Sequence, residues 1–400
     1  MTHFWLSLKG LGKFPESKVM TQFFVYDELT WPETAVLPRT TPLIIPLGTG
    51  YDLARLADCL GQPERVGLLP TVPFGWRGSG LAVAEGLLTA VLQNLLNSLR
   101  EDGFSRAFAL VPQDMSLGLN EQAIVLPNPS QIESAPLLPP ASDVGKVVII
   151  PIGHTEQHGY HLPLSTDNLI IEAIGNGVET AAPNLAVTLP TFPYGVSTHR
   201  QAFAGTLNVQ GRAFEDFWLA VVDGLVGRGF DRFYLMSGHG GNCSFLVNVV
   251  KYAGERHRRI FCATAWLHTS GHIAAPVVQA TRLSARGGMG HAGELETAMI
   301  LHLRPDLVQQ EKAVDEIDFI STPSYYMDWV EGGELIANPP WDDDTATGAY
   351  GAGSVATVEN GRRWLEVGIA EKVAHVHEIH EQHTRREARR EAGFGLWGKQ

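Results

Sequence analysis

Cysteine is scarce: three in 400 residues, Cys59, Cys243 and Cys262, scattered and odd in number. That excludes a disulfide framework as the source of stability. No apolar run approaches the roughly 20 residues that a membrane-spanning helix needs. Positive charge is also short, with 30 Lys and Arg against 43 Asp and Glu and a net charge of −13. A nucleic-acid or anionic-membrane surface needs clustered basic residues, so neither partner is expected. The opening MTHFWLSLKGLGKF has no basic leader followed by a long apolar stretch. The glycines of Gly348–Ser354 are not followed by GK[ST], which leaves little case for a phosphate loop. The expectation is a soluble, cytoplasmic protein that acts on a small molecule.

What the sequence does hold is a repeat. Leu43–Gly48, LIIPLG, matches Val148–Gly153, VIIPIG. Leu68–Gly75, LLPTVPFG, matches Thr188–Gly195, TLPTFPYG, and Gly103–Leu110, GFSRAFAL, matches Gly229–Met236, GFDRFYLM. Order and approximate spacing agree, as expected for two copies of one unit. The chain therefore divides into a first unit at 1–119, a linker at 120–143 rich in proline and small polar residues, and a second unit at 144–400. A short capped helix is expected near Thr30, with Pro32 at an early helical position.

In the second unit, strands are expected at Val147–Ile150, Leu185–Leu189, Arg232–Met236 and Arg259–Ala265. Helices are expected at Arg212–Arg228, Asn242–His257, His291–Leu303 and Glu359–Arg390. Strand and helix in alternation predict an α/β fold: a mostly parallel sheet flanked by helices in αβα layers, present as two tandem copies.

The second copy carries polar clusters that the first lacks. The β-branched run Val147–Ile150 ends at Pro151 and Gly153, and Glu156, His158 and Asp167 follow. Residues two apart on an extended segment point the same way, so Glu156 and His158 converge. A carboxylate, an imidazole and a second carboxylate at the carboxyl end of a parallel strand can cradle a metal. Taken singly, each has a plainer reading as a solvated loop residue or, for Asp167, a helix cap. FYLMSGHGGN adds His239 at the end of another strand, its glycines allowing close backbone approach. GGMGHAGELETAMILH adds His291, Glu294 and Glu296, the two acids also suiting the first turn of a helix. THRQAFAGTLN adds His199 and the Gly205-Thr206 turn. In the first copy Asp52 corresponds to Asp167, nothing corresponds to Glu156 or His158, and Gln113 stands for His239.

Together these segments resemble the creatininase (creatinine amidohydrolase) family. Its pattern is met by Glu156-Gln-His158-Gly-Tyr-His161-Leu-Pro-Leu-Ser-Thr-Asp167, Ser237-Gly-His239-Gly-Gly-Asn242, His291-Ala-Gly-Glu294-Leu-Glu296-Thr297 and Phe203-Ala-Gly205-Thr206. The start of the first copy, ELTWPET followed by LIIPLG, also looks like the family's usual beginning. The resemblance implies a hydrolase with two divalent ions, Zn²⁺, Mn²⁺ or Fe²⁺, held by Glu156, His158, Asp167 and His239, with Asp167 bridging. Creatininase has a further glutamate two residues after the turn histidine, where Gly241 stands here. Family members with this glycine take the last ligand from the His-Ala-Gly-Glu-x-Glu-Thr segment, so the resemblance implies Glu296, with Glu294 the competing choice.

A metal-bridging hydroxide would attack a small cyclic amide or other small amide. His291 would donate a proton to the leaving group, Glu294 would assist catalysis, and His199 and Thr206 would bind substrate. The resemblance also implies a homo-oligomer. Competing expectations are hydrolytic C–C opening of an activated ring ketone at the same site, a metal-stabilised assembly protein without activity, and a phosphate-binding enzyme using the SGHGGN turn. The aromatic stretch Tyr325–Trp329 and Trp341 would line the pocket or belong to the core.

Overall fold

The computed structural model describes residues 20–127, 136–198 and 202–393. In the first unit β1 (Gln22–Val25) leads into α1 (Trp31–Ala35), followed by β2 (Leu43–Pro46) and α2 (Leu53–Cys59). Then come β3 (Arg65–Leu68), α3 (Glu85–Glu101), β4 (Ala107–Pro112) and β5 (Ala123–Leu126). The five strands form one parallel sheet in the order β1-β3-β2-β4-β5.

The second unit alternates β6 (Val147–Ile152), α4 (Thr166–Ala181), β7 (Ala186–Thr188), α5 (Gly211–Gly227) and β8 (Arg232–Ser237). It continues with α6 (Gly240–Arg256), β9 (Phe261–Ala265), α7 (Ala274–Thr281), α8 (Glu294–Leu303) and the long α9 (Val358–Glu391). Its strands are also all parallel, in the order β7-β6-β8-β9. That order repeats β3-β2-β4-β5 of the first sheet strand for strand. In both, the IIP strand lies second, and every residue of β2 and β6 is buried because helices cover both faces.

The units join through α3 and α5. Leu88, Val91, Leu92, Leu95, Leu96 and Leu99 recur at three- and four-residue spacing and give α3 one apolar face. It packs against Phe214, Phe217, Trp218, Val221, Val222 and Leu225 of α5, within a single core that runs from Ile45 to Ile150. On the other face of the second sheet, α4, α8 and α9 enclose a separate core around Ile171, Met299 and Trp364.

The expected linker needs correction. Residues 123–126 are β5, paired with β4, so the first sheet extends past 119. AIVL is too short to show a period, and the prolines after it conceal it. Residues 128–135 of that linker lie outside the described residues. The helix expected from His291 begins at Glu294, because Ala292 sits at φ 53° and breaks the helical path. The helix near Thr30 forms as expected: the Thr30 amide and hydroxyl both donate to the Glu33 carboxylate, at 2.8 and 2.9 Å.

Candidate metal centre

β6 delivers the ligand loop to the carboxyl edge of the second sheet. A Cβ at Gly153 would lie 2.1 Å from Asn168 Oδ1, so only glycine lets the strand end meet the start of α4. The loop then folds back on itself, the Glu156 amide donating to Leu164 O (3.1 Å) and the Leu207 amide to Thr155 O (3.0 Å). Just before Asp167 it is pinned by the first unit: the Leu164 and Ser165 amides donate to Leu29 O and Asp27 O, both at 2.9 Å. Trp31 packs on Tyr160 and Phe203 at 5.4 and 5.3 Å, and its Nε1 donates to Thr347 O (2.8 Å).

β8 supplies the second loop. Asn242 holds it to its neighbours, accepting from the Val196 amide (2.9 Å) and donating to Gly153 O (3.2 Å). A Cβ at Gly241 would lie 2.4 Å from both His239 Nε2 and Val196 O. There is no room for a glutamate side chain at that position, while Glu296 at the start of α8 brings a carboxylate oxygen to 3.8 Å from His158 Nε2.

These elements bring Glu156, His158, Asp167, His239 and Glu296 together, each between 0% and 6% exposed. His239 Nε2 donates to Val196 O (3.0 Å), which leaves Nδ1 as a lone pair. That nitrogen faces Glu156 Oε1 at 2.9 Å and Asp167 Oδ2 at 3.3 Å. His158 Nδ1 donates to Glu156 O (3.1 Å), so its Nε2 faces Asp167 Oδ1 at 3.1 Å and Glu296 Oε2 at 3.8 Å. Asp167 therefore turns one oxygen to each imidazole, and ligand atoms within 4.8 Å of one another are offered by His154, Glu156 and His239, by Glu156, His158 and His291, and by His158, Asp167 and Glu296. Glu156 Oε1 and Asp167 Oδ2 are buried yet accept no hydrogen bond of good geometry. Buried acceptors that converge without a proton between them fit a cation.

Without cations, protons take their place. Burial works against charge on His158, but Asp167, then Glu296 and Glu156, push it up to about 9. Burial likewise opposes charge on His239, and Glu156 and Asp167 lift it well above the ordinary imidazole range. Burial, only partly offset by His158, raises Glu296 to about 7. Asp167 is held well below the carboxylate range, burial being outweighed by His158 and His239.

His291 reaches the same centre, its Nδ1 3.6 Å from Glu156 Oε1 and its Nε2 2.8 Å from Gln157 O. Its ring lies 4.2 Å from that of His158, and Trp341 meets its edge at 4.8 Å. Burial, then the nearby His158, keep His291 well below its ordinary pKa and therefore neutral.

Glu294 is not brought in. Its carboxylate turns away to accept from the Leu283 amide (2.9 and 3.0 Å) and the Ser284 amide (2.7 Å). The Thr206 hydroxyl accepts from the Gln157 amide (3.0 Å) and so shapes the ligand loop. His199 lies outside the described residues.

Trp329, from the aromatic stretch expected to line the pocket or the core, belongs here, as do Gln157 and His154, to which the motifs assign no role. Trp329 Nε1 donates to Glu296 Oε1 (3.3 Å), and Gln157 Nε2 donates to Gly348 O (2.8 Å). His154 stacks on His239 at 4.5 Å between ring centres. Its place two residues before Glu156 was the available signal.

The creatininase family model, described as creatinine amidohydrolase, matches residues 136–376. The mycofactocin precursor peptide peptidase of Mycobacterium ulcerans is 31% identical over 176 residues, covering 41% of this chain and 61% of that protein. The chain thus spans about three fifths of that relative's length. The creatinine amidohydrolase of Pseudomonas putida is 27% identical over 253 residues, 57% of this chain and 88% of that one. The 3-dehydro-scyllo-inosose hydrolase of Thermotoga maritima is 28% identical over 210 residues, 48% of this chain and 61% of that one. Among solved structures, creatinine amidohydrolase (creatininase) superposes with a TM-score of 0.51 at 23% identity, over 60% of this chain and 92% of that chain, a likeness of fold.

Proposed function

The chain belongs to the creatininase family, and from that premise we propose a metal-dependent hydrolase of a small amide, with cyclic amides the first class to test. The observation that carries this reading is the buried Asp167 carboxylate that turns one oxygen to His158 and the other to His239. Glu156, Asp167 and His239 would hold one divalent ion, and His158, Asp167 and Glu296 the other. Three carboxylates against two divalent cations leave a single positive charge, which suits an anionic nucleophile. Mixed imidazole and carboxylate ligands suit Zn²⁺, Mn²⁺ or Fe²⁺. Such ions, when bound, lower the pKa of water towards neutrality and polarise a carbonyl oxygen.

The chain's own groups do the rest. With Nε2 tied to Gln157 O, His291 presents Nδ1 to the centre. There it takes a proton from the nucleophile and returns it to the leaving nitrogen. Trp341 against His291, and Trp329 on Glu296, restrict the approach to small substrates. Glu294 acts on the 283–284 backbone, which removes it from a direct role.

The first unit is a copy of the same domain that kept its sheet and lost its ligands. Four strands in the same order, with β1 added at one edge of the first sheet, and three matched sequence segments support this. Asp52, at the position of Asp167, only caps α2, accepting from the Ala54 and Arg55 amides.

The test is metal content and turnover of the wild type and Asp167→Ala, against cyclic amides, linear amides, short peptides and ring ketones. Two ions per chain with amide hydrolysis, both lost in the variant, is the expected result. Turnover confined to ring ketones would move the assignment to C–C hydrolysis. No metal uptake by the wild type would end the hydrolase reading.

A further inference from the structure

The centre contains a histidine that stands in coordination range and is nevertheless held in the wrong tautomer to coordinate. His154 leaves β6 immediately after Gly153 and is fully buried. The Gly195 amide donates to His154 Nδ1 at 2.9 Å. An N–H cannot donate to another N–H, so Nδ1 carries the lone pair and the single proton of the neutral ring sits on Nε2. That Nε2–H makes no hydrogen bond of good geometry, and the Leu207 backbone is the other polar group set against the ring. The carboxylate oxygen paired with it is Glu156 Oε2, at 4.0 Å. The other oxygen of the same carboxylate, Oε1, is the one that faces His239 Nδ1.

We propose that His154 is a positioning residue, not a ligand: its Nε2–H would take Oε2 of Glu156 when that carboxylate is drawn onto a cation, and so leave Oε1 alone to coordinate. This rests on the two-metal reading above. A buried N–H without a partner is costly, and leaving one beside a coordinating carboxylate is explicable if the carboxylate completes the bond when it is drawn onto a cation. Donation to the free oxygen fixes the carboxylate as a one-oxygen ligand. It also withdraws charge from that ligand, which makes the ion a stronger Lewis acid. Stacking on His239 and the Gly195 hydrogen bond fix the ring in that orientation.

Two variants separate the possibilities. His154→Asn keeps an acceptor for the Gly195 amide and removes the donor at Nε2, whereas His154→Gln places an amide N–H near the Nε2 position. Metal-free protein is titrated with Co²⁺, reading stoichiometry, affinity and the visible absorption bands. The expected result for His154→Asn is two ions still bound, one of them about 10–100-fold more weakly, with altered bands. His154→Gln is expected to recover most of the affinity and the wild-type bands. Loss of one ion from His154→Asn at saturating Co²⁺ would make His154 a ligand and overturn the inference. Unchanged affinity and bands would overturn it in the other direction. Wild type that takes up no Co²⁺ would instead overturn the metal centre itself. A comparison of melting temperatures shows whether either variant is merely unfolded.

Discussion

At the scale of single residues, Glu294 and Glu296 stand two positions apart on one helix and meet opposite environments. Glu294 accepts from two backbone amides, and Asn360 Nδ2 also reaches it at 3.4 Å. Glu296 faces two carboxylates and the imidazole of His158. Glu294→Gln is therefore expected to keep both ions and lose about 2 kcal/mol of stability, the worth of charge-assisted hydrogen bonds. Glu296→Gln is expected to lose an ion while the metal-free protein melts higher, because a buried repulsive carboxylate is gone. Metal analysis and thermal melts of the two variants check both statements.

The same residues set a pH dependence. Glu296 at about 7, against an ordinary 4.5, and His158 at about 9, against 6.5, both bind protons more tightly when folded. A raised pKa stabilises the fold below the unfolded value and loses that contribution as pH climbs through the folded one. Depressed histidines such as His291 act in the opposite sense up to about pH 6.5, so the metal-free protein should lose melting temperature between about pH 7 and 9, while the metal-loaded protein should not. Metal binding should also release protons, measurable as calorimetric heats that depend on the buffer's ionisation enthalpy.

At the scale of elements, the segment from β1 to α1 belongs to the first sheet yet supports the site of the second. Leu29 and Asp27 carbonyls fix the approach to Asp167, and Trp31 covers Tyr160. Trp31→Ala should cost on the order of 2 kcal/mol, below the full core value because the ring is half-buried. It should also weaken metal binding with no ligand removed. Calorimetric titration with Zn²⁺ or Mn²⁺ distinguishes this from a purely structural loss, which would leave affinity per folded molecule unchanged.

At the scale of the molecule, α3 and α5 bury a long apolar seam between two parallel sheets that share a four-strand order. Residues 136–400 expressed alone would expose the α5 face around Phe214 and Phe217 to water, at about 25 cal/mol per Å² of apolar surface. The expected outcome is aggregation or self-association through that face, read by light scattering. The intact chain, in which the seam is already filled, should not use it. A larger assembly is still expected for the intact chain, and elution at monomer mass would remove that expectation.

The sequence by itself determined the second unit's strands, the parallel α/β class, and Glu156, His158, Asp167 and His239 as neighbours. Those features are written in local pattern: buried β-branched runs, residues two apart, and glycine before a helix start. It also carried the matched segments LIIPLG and VIIPIG, which form the corresponding buried strands β2 and β6. It did not separate Glu294 from Glu296, since both spacings fit a helix start and only the position of the 283–284 backbone decides which acid turns inward. Nor did it reveal β5, a four-residue strand whose identity depends on its pairing with β4. The tautomer of His154 rests on an amide forty-one positions away, at Gly195. The first unit's hold on the ligand loop was equally absent from local pattern, because it is made by backbone carbonyls, which every residue possesses. Which carbonyl meets which amide is decided by tertiary packing alone.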